Sequence, residues 1–295
     1  HIKDQIRCGA AYRLGLTGKG IGVAVLDTGI FLHRDFDSRV TGFADMVNRR
    51  NFAYDDCGHG THICGIIGGS GRMSGGRYSG IAPGCNLIMV KVLDRKGNGY
   101  SSDVLAGISW VLERKEQLGI RILNISVGAC SKRGTSENSA LVKGVNRAWD
   151  AGLVVVVAAG NNGPRTMSIT TPGISRKVIT VGCSDDDREV LVGGNRMVDY
   201  SGRGPTAACI CKPDLVAPGC SVVSCSSRAD KYTIKSGTSM STPIVSGAVA
   251  LLLERFPDMS NKDVKLRLRE SSVDIGLPRN QQGWGLLDVG KMLER

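Results

Sequence analysis

Aromatic residues make up only 5% of this 295-residue chain, and no run of Lys and Arg interleaved with aromatics occurs. The pattern of a nucleic-acid-binding surface is therefore missing. Long apolar runs are missing too. The longest, such as Leu153–Ala159 and Ala248–Leu253, fall far short of the ~20 residues that a membrane-spanning helix needs. No C-x-x-C pair occurs among the ten cysteines, which removes the simplest metal and redox motifs. Residues His1–Gly20 contain no run of signal-peptide type, and His1 reads as a processed or trimmed end. The compartment is left open. No internal repeat or low-complexity linker divides the chain, so 1–295 reads as one domain.

Glycine, in contrast, is abundant: 40 residues, scattered along the chain, where ~7% is usual. Scattered glycine implies tight turns and close backbone packing more than flexible linkers. The formal net charge is +11, which favours acidic partners but reads first as a solvated basic surface. Apolar residues make up 41% and the mean hydropathy is -0.05, both ordinary for a globular chain. A chain this long buries enough surface to fold without disulfides. Cys64 and Cys183 follow apolar runs and read as core packing. Cys209 with Cys211, and Cys220 with Cys225, lie in loop-like sequence where bridges are open to either pair.

Ile21–Leu26 is continuously apolar and ends in Asp27-Thr-Gly, as suits a strand buried on both faces. Similar runs recur at Asn86–Val92, Arg121–Val127, Leu153–Ala159 and Val178–Val181. Helical patterns lie between and after them: one capped at Ser101-Ser102-Asp103 and stopped by Gly119, then Glu137–Ala151, Thr238–Arg255 and Asn261–Glu270. Strands alternating with helices predict an α/β fold, a doubly wound and mainly parallel sheet with helices on both faces. In such sheets function gathers at the carboxyl ends of the strands.

Four segments at those ends and at helix starts carry chemistry. They are Val25-Leu-Asp-Thr-Gly29, Gly58-His-Gly-Thr-His62, Ala158-Ala-Gly-Asn-Asn162 and Ser236-Gly-Thr-Ser-Met-Ser-Thr-Pro243. A serine nucleophile needs a base for its proton, a buried carboxylate to orient that base, and donors for the oxyanion. With Ser239 as the nucleophile, His59 and Asp27 answer the first two needs. Asn161 and the Ser239 backbone N–H answer the last. Singly, each has a plain structural account: Asp27 as a turn residue, His59 as a helix-start histidine, Ser239 as an N-cap. Their conjunction favours catalysis.

Three rival sites are weaker. Cys57-x-His59-x-x-His62-x-Cys64 has the look of a zinc quartet, but Cys57 falls before the helix that would gather the others. Cys57 or Cys64 could serve a Cys–His peptidase, yet neither has its own oxyanion donor in sequence; Cys57 is also placed to line the cleft. Gly18-Lys-Gly-Ile-Gly22 precedes a strand where a dinucleotide loop would follow one.

The four segments, with Gly80-Ile-Ala-Pro83, Lys212–Gly219 and Gly283–Asp288, resemble the subtilisin family of serine peptidases from about Gly18 to Leu293. The order Asp, His, Ser and an asparagine oxyanion donor are subtilisin's own features. The resemblance implies a serine endopeptidase with catalytic Asp27, His59 and Ser239 and Asn161 as oxyanion donor. It implies a peptide or unfolded protein substrate lying against Ser126, Val127 and Gly128. Ala158, Ala159 and Gly160 would wall the side-chain pocket, with Asn162 at its rim, Val104 lining a more distant pocket, and a cis Thr171–Pro172 bond. Glycine at 128 is expected to leave room for the substrate backbone. The family also implies a self-cleaved prosegment.

No cofactor is required for this chemistry. Asp35 matches a calcium-ligand position of secreted relatives, but Gly68–Gly80 offers Arg72 and Arg77 and no Asp, Asn or Glu. That loop site is expected to be absent, with structural calcium elsewhere left open. The alternative function is an inactive relative whose cleft binds a peptide or protein partner. A third reading is a basic scaffold adhering to anionic surfaces.

Overall fold

Continuously apolar runs become neighbouring strands because each can bury both of its faces. The computed structural model describes residues 2–128 and 137–294, and Cys130 lies outside them. In chain order the strands are β1 (Gly22–Asp27), β2 (Val40–Asp45), β3 (Asn86–Lys91), β4 (Ile120–Ile125), β5 (Val154–Ala158), β6 (Ile179–Cys183), β7 (Val190–Val192), β8 (Asn195–Met197), β9 (Leu215–Ala217), β10 (Val222–Cys225) and β11 (Tyr232–Lys235). Seven form one sheet in the order β2-β3-β1-β4-β5-β6-β9. Every pairing in it is parallel. Two antiparallel hairpins, β7–β8 and β10–β11, stand apart from it.

Helices cover both faces, as two adjacent residues of β3 demonstrate. Met89 and Val90 must point to opposite sides of the sheet. A Cβ added to Gly60, in the helix His59–Gly68, would lie 3.1 Å from Met89. One added to Gly107, in the helix Ser101–Arg114, would lie 3.1 Å from Val90. The helix Thr238–Arg255 packs beside His59–Gly68 and against β4, β5 and β6. The helix Ala140–Asp150 packs beside Ser101–Arg114.

The Thr238–Arg255 helix is buried around nearly its whole circumference, from Thr238 to Leu253. Its polar residues are therefore paired, as burial requires. Ser246 Oγ donates to Asn124 Oδ1 at 2.8 Å, and Asn124 Nδ2 donates to Ser126 Oγ at 2.9 Å. This polar chain ties the helix to the end of β4. Elsewhere the caps differ from expectation. The helix at 101 is preceded by Tyr100 without a side-chain cap. The helix at 140 is capped by Ser139, which accepts from Val142 N–H.

Candidate active site

Asp27 closes β1 with its side chain fully buried. Its Oδ1 accepts from Thr28 N–H at 2.8 Å, and His59 Nδ1 lies 2.8 Å from Oδ1 and 3.0 Å from Oδ2. The start of the His59 helix is aimed by Asp55, a residue the sequence reading missed. Its carboxylate accepts from the N–H groups of Cys57, Gly58 and Thr61 and from Thr28 Oγ1. Thr28 Oγ1 in turn accepts from Gly60 N–H. One carboxylate thus ties the first turn of this helix, where the macrodipole favours negative charge, to the end of β1. The signal was present as Asp55 shortly before a helix start, a position where Asp is favoured.

Burial alone would lower the proton affinity of His59. The charge of Asp27 and its hydrogen bond outweigh that, and the pKa stands above the ordinary imidazole value. Lys91, fully buried and in register with Asp27, backs this corner. Its ammonium donates to Thr28 O, Leu93 O and Asp56 Oδ1 at 2.6, 2.8 and 2.8 Å. All three of its protons are therefore engaged.

The second half of the site hangs from the Ser239 helix. Leu26 pairs with Ile125, so Asp27 and Ser126 leave adjacent strand ends about 5 Å apart. Ser239 Oγ donates to Ser126 O at 2.6 Å. Among the described residues it makes no hydrogen bond to His59, so three segments meet while the serine–histidine link stays open. Asn161, three residues beyond β5, accepts on Oδ1 from Thr238 N–H and Thr238 Oγ1, each at 3.0 Å. Thr238 was not singled out in sequence. By engaging Oδ1 it fixes which way the amide turns and directs Nδ2 away from itself.

The expected walls are built largely from backbone. Ser126, Ala158 and Ala159 are buried, Val127 and Gly160 half-buried, Gly128 and Asn162 exposed. Cβ atoms added at Gly128 or Gly160 would both collide with the side chain of Thr170. Glycine at 128 thus also answers to Thr170, which leaves no space for a Cβ there. Thr170 N–H donates to Ala159 O at 2.9 Å. The Thr171–Pro172 bond is cis, as are those before Pro164, Pro205 and Pro213. Val104 lines a cavity of about 210 Å³ with Val127, Gly128, Leu141 and Pro172.

The rival sites come apart on the same geometry. His62 turns from His59 towards Val222 O and Thr233 O, at 3.1 and 3.2 Å, so the Cys57–Cys64 stretch gathers no ligand set. Burial pushes the thiols of Cys57 and Cys64 up, away from the thiolate that a cysteine nucleophile needs. The nine described cysteines are free, and Cys225 faces Asp35 instead of bridging to Cys220. Asp35 is buried and held by Met73 N–H at 2.9 Å and Tyr232 OH at 2.7 Å.

Known proteins resemble this chain over most of its length. A model of the "Subtilase family" matches residues 18–285. The chain is 43% identical over 289 residues to "Serine protease AprX" of Bacillus subtilis, covering 92% of this chain and 64% of that protein. It is 34% identical to "Subtilisin BL" of Lederbergia lenta over 97% of this chain and 95% of that one. The solved structure of "Sphericase" superposes with a TM-score of 0.78 at 31% identity, covering 93% of each chain.

Proposed function

Because the chain belongs to the subtilase family, we propose that it is a serine endopeptidase that cleaves peptide bonds through an acyl-enzyme on Ser239. The carrying observation is the Asp27–His59 hydrogen bond at 2.8 Å, set one strand away from the Ser126 carbonyl on which Ser239 rests. With Nδ1 held by the carboxylate, His59 keeps Nε2 as the nitrogen that accepts a proton. Rotation about the Ser239 Cα–Cβ bond frees Oγ from Ser126 O. The proton then passes to His59 Nε2 as Oγ attacks the scissile carbonyl, and His59 returns it to the leaving amine. Catalytic hydrogen bonds that are loose without substrate and tighten with it are the usual pattern.

The oxyanion would meet Asn161 Nδ2 and the N–H of Ser239, which lies in a first helical turn where N–H groups lack intrahelical partners. A peptide or unfolded protein segment would lie along Ser126–Gly128. Ser126 O, released by the hydroxyl, would accept a substrate N–H. Ala158–Gly160 and Thr170 would wall the side-chain pocket, with Asn162 at the rim.

Ser239→Ala is the direct test. It should leave the circular dichroism spectrum unchanged and reduce cleavage of an unfolded protein by on the order of 10⁶, the scale for subtilisin itself. Full activity in that variant would falsify the assignment.

The reading needs no cofactor, since nucleophile, base, acid and donors are all groups of the chain. Protein donors already hold Asp35, and Gly68–Gly80 contributes two arginines and no Asp, Asn or Glu, which supports the loss of the family's calcium loop there. Any rise of Tm that calcium produces should accordingly be the same in Asp35→Asn as in the unaltered chain. A calcium effect abolished by Asp35→Asn would contradict this.

A further inference from the structure

A cluster of sulfur and oxygen donors lies behind the nucleophile's helix, outside the catalytic groups. Cys183, the last residue of β6, is fully buried, and Cys220, in the loop after β9, is half-buried. Their sulfur atoms and one carboxylate oxygen of Asp185 all lie within 4.8 Å of one another. Tyr200 OH is 3.2 Å from each sulfur. Cys183 Sγ is 3.1 Å from Asp185 Oδ1, which also accepts the N–H groups of Gly219 and Cys220 at 2.7 and 3.1 Å. Packing alone has no use for two sulfurs, a carboxylate and a phenol converging on one point. Two cysteines and a carboxylate are, however, a donor set suited to zinc and its thiophilic neighbours.

We propose that Cys183, Cys220 and Asp185 bind one thiophilic divalent cation of the zinc or cadmium class, with Tyr200 OH or a water in the fourth position. Binding replaces two S–H bonds by two metal–sulfur bonds and releases two protons to solvent, with no change of oxidation state. Tetrahedral zinc with Zn–S of about 2.3 Å sets its sulfurs about 3.8 Å apart, so the group must contract by ~1 Å at most. Cys220 and Asp185 are both partly exposed, which gives the ion a way in.

The group His33, Asp35 and Cys225 is equally close-knit but differs in this respect. It is fully buried, with His33 Nδ1 accepting from Asp35 N–H and Asp35 engaged by Tyr232 and Met73. The Cys220 cluster also touches function. Gly219 O accepts from Gly237 N–H at 3.0 Å, and Gly237 immediately precedes Thr238 and Ser239. An ion that fixes Cys220 therefore steadies the turn that starts the nucleophile's helix.

The test is titration of the reduced, metal-free chain with cadmium chloride, following thiolate-to-metal charge-transfer absorbance, native mass and Tm. One ion per chain should bind, with Tm raised by about 5 °C at a hundredfold excess over Kd. Cys183→Ala and Cys220→Ser should each weaken binding beyond the ~10–100-fold that loss of an outer partner costs. Cys209→Ser and Cys211→Ser should bind normally. If Cys183→Ala does not fold, Cys220→Ser decides alone. No charge-transfer band, or a band that survives Cys220→Ser at full affinity, overturns the site.

Discussion

His59 and His62 stand one turn apart on the same helix, and burial disfavours the charged form of both. Their proton affinities nevertheless move in opposite directions. His59 meets a carboxylate, whose charge and hydrogen bond lift its pKa above the ordinary value against the pull of burial. His62 meets only the carbonyls of Val222 and Thr233. Burial, with the nearby charges of His59 and Lys235, takes it down to about 3. Its Nδ1 is buried without a partner, as fits a neutral ring that donates through Nε2. One histidine is thereby equipped to exchange a proton near neutrality. The other is a permanent clasp on the β10–β11 hairpin. The residue type sets the range of behaviour, and what each nitrogen faces decides the outcome.

The sharpest way to break this contrast is to take away the charge that makes it. Asp27→Asn should lower kcat by about 10⁴, since the amide no longer enforces the working tautomer. Because neutral His59 is the active form, activity is lost as pH falls through its pKa. In the unaltered chain that acid limb should lie above ~6.5, and in Asp27→Asn it should move to lower pH. An unchanged limb in the variant would mean that His59 is not the group being titrated. His62, neutral throughout this range, should add nothing to the profile.

A smaller effect is expected from the other half of the site. Asn161→Ala should slow kcat by about 10²–10³, subtilisin's own range for such a donor, while leaving the acid limb in place. A shifted limb with normal kcat would assign Asn161 to the histidine side instead. The smallest effect concerns Lys235, whose positive charge lowers the pKa of His59. Lys235→Met should move the acid limb upward, and less so in high salt. A downward movement would contradict the sign of that interaction.

Much of the fold was legible because β1, β3, β4, β5 and β6 are predominantly apolar runs, each long enough to betray burial on both faces. The edges were not. β2 is only partly buried and reads Val-Thr-Gly-Phe-Ala-Asp, while β9 is three residues long. Neither carries a periodicity above background. At the site, the chemically reactive residues stood out because each follows a strand or opens a helix. Their supports did not. Asp55 and Thr238 act through backbone N–H groups, and Thr170 acts by filling space beside two glycines. Lys91 is a buried lysine inside an apolar strand, a position that sequence patterning assigns to a hydrophobe. Such residues become visible only when distant segments are brought together.

The central claim is that Ser239, activated by His59 and Asp27, is the nucleophile. Reaction of the intact chain with a serine-directed phosphonate, followed by mass mapping of the adduct, tests it most directly. One adduct is expected, on Ser239, formed fast in the unaltered chain and severely slowed in His59→Ala. An adduct on another residue, or labelling of Ser239 at the same rate without His59, would contradict it.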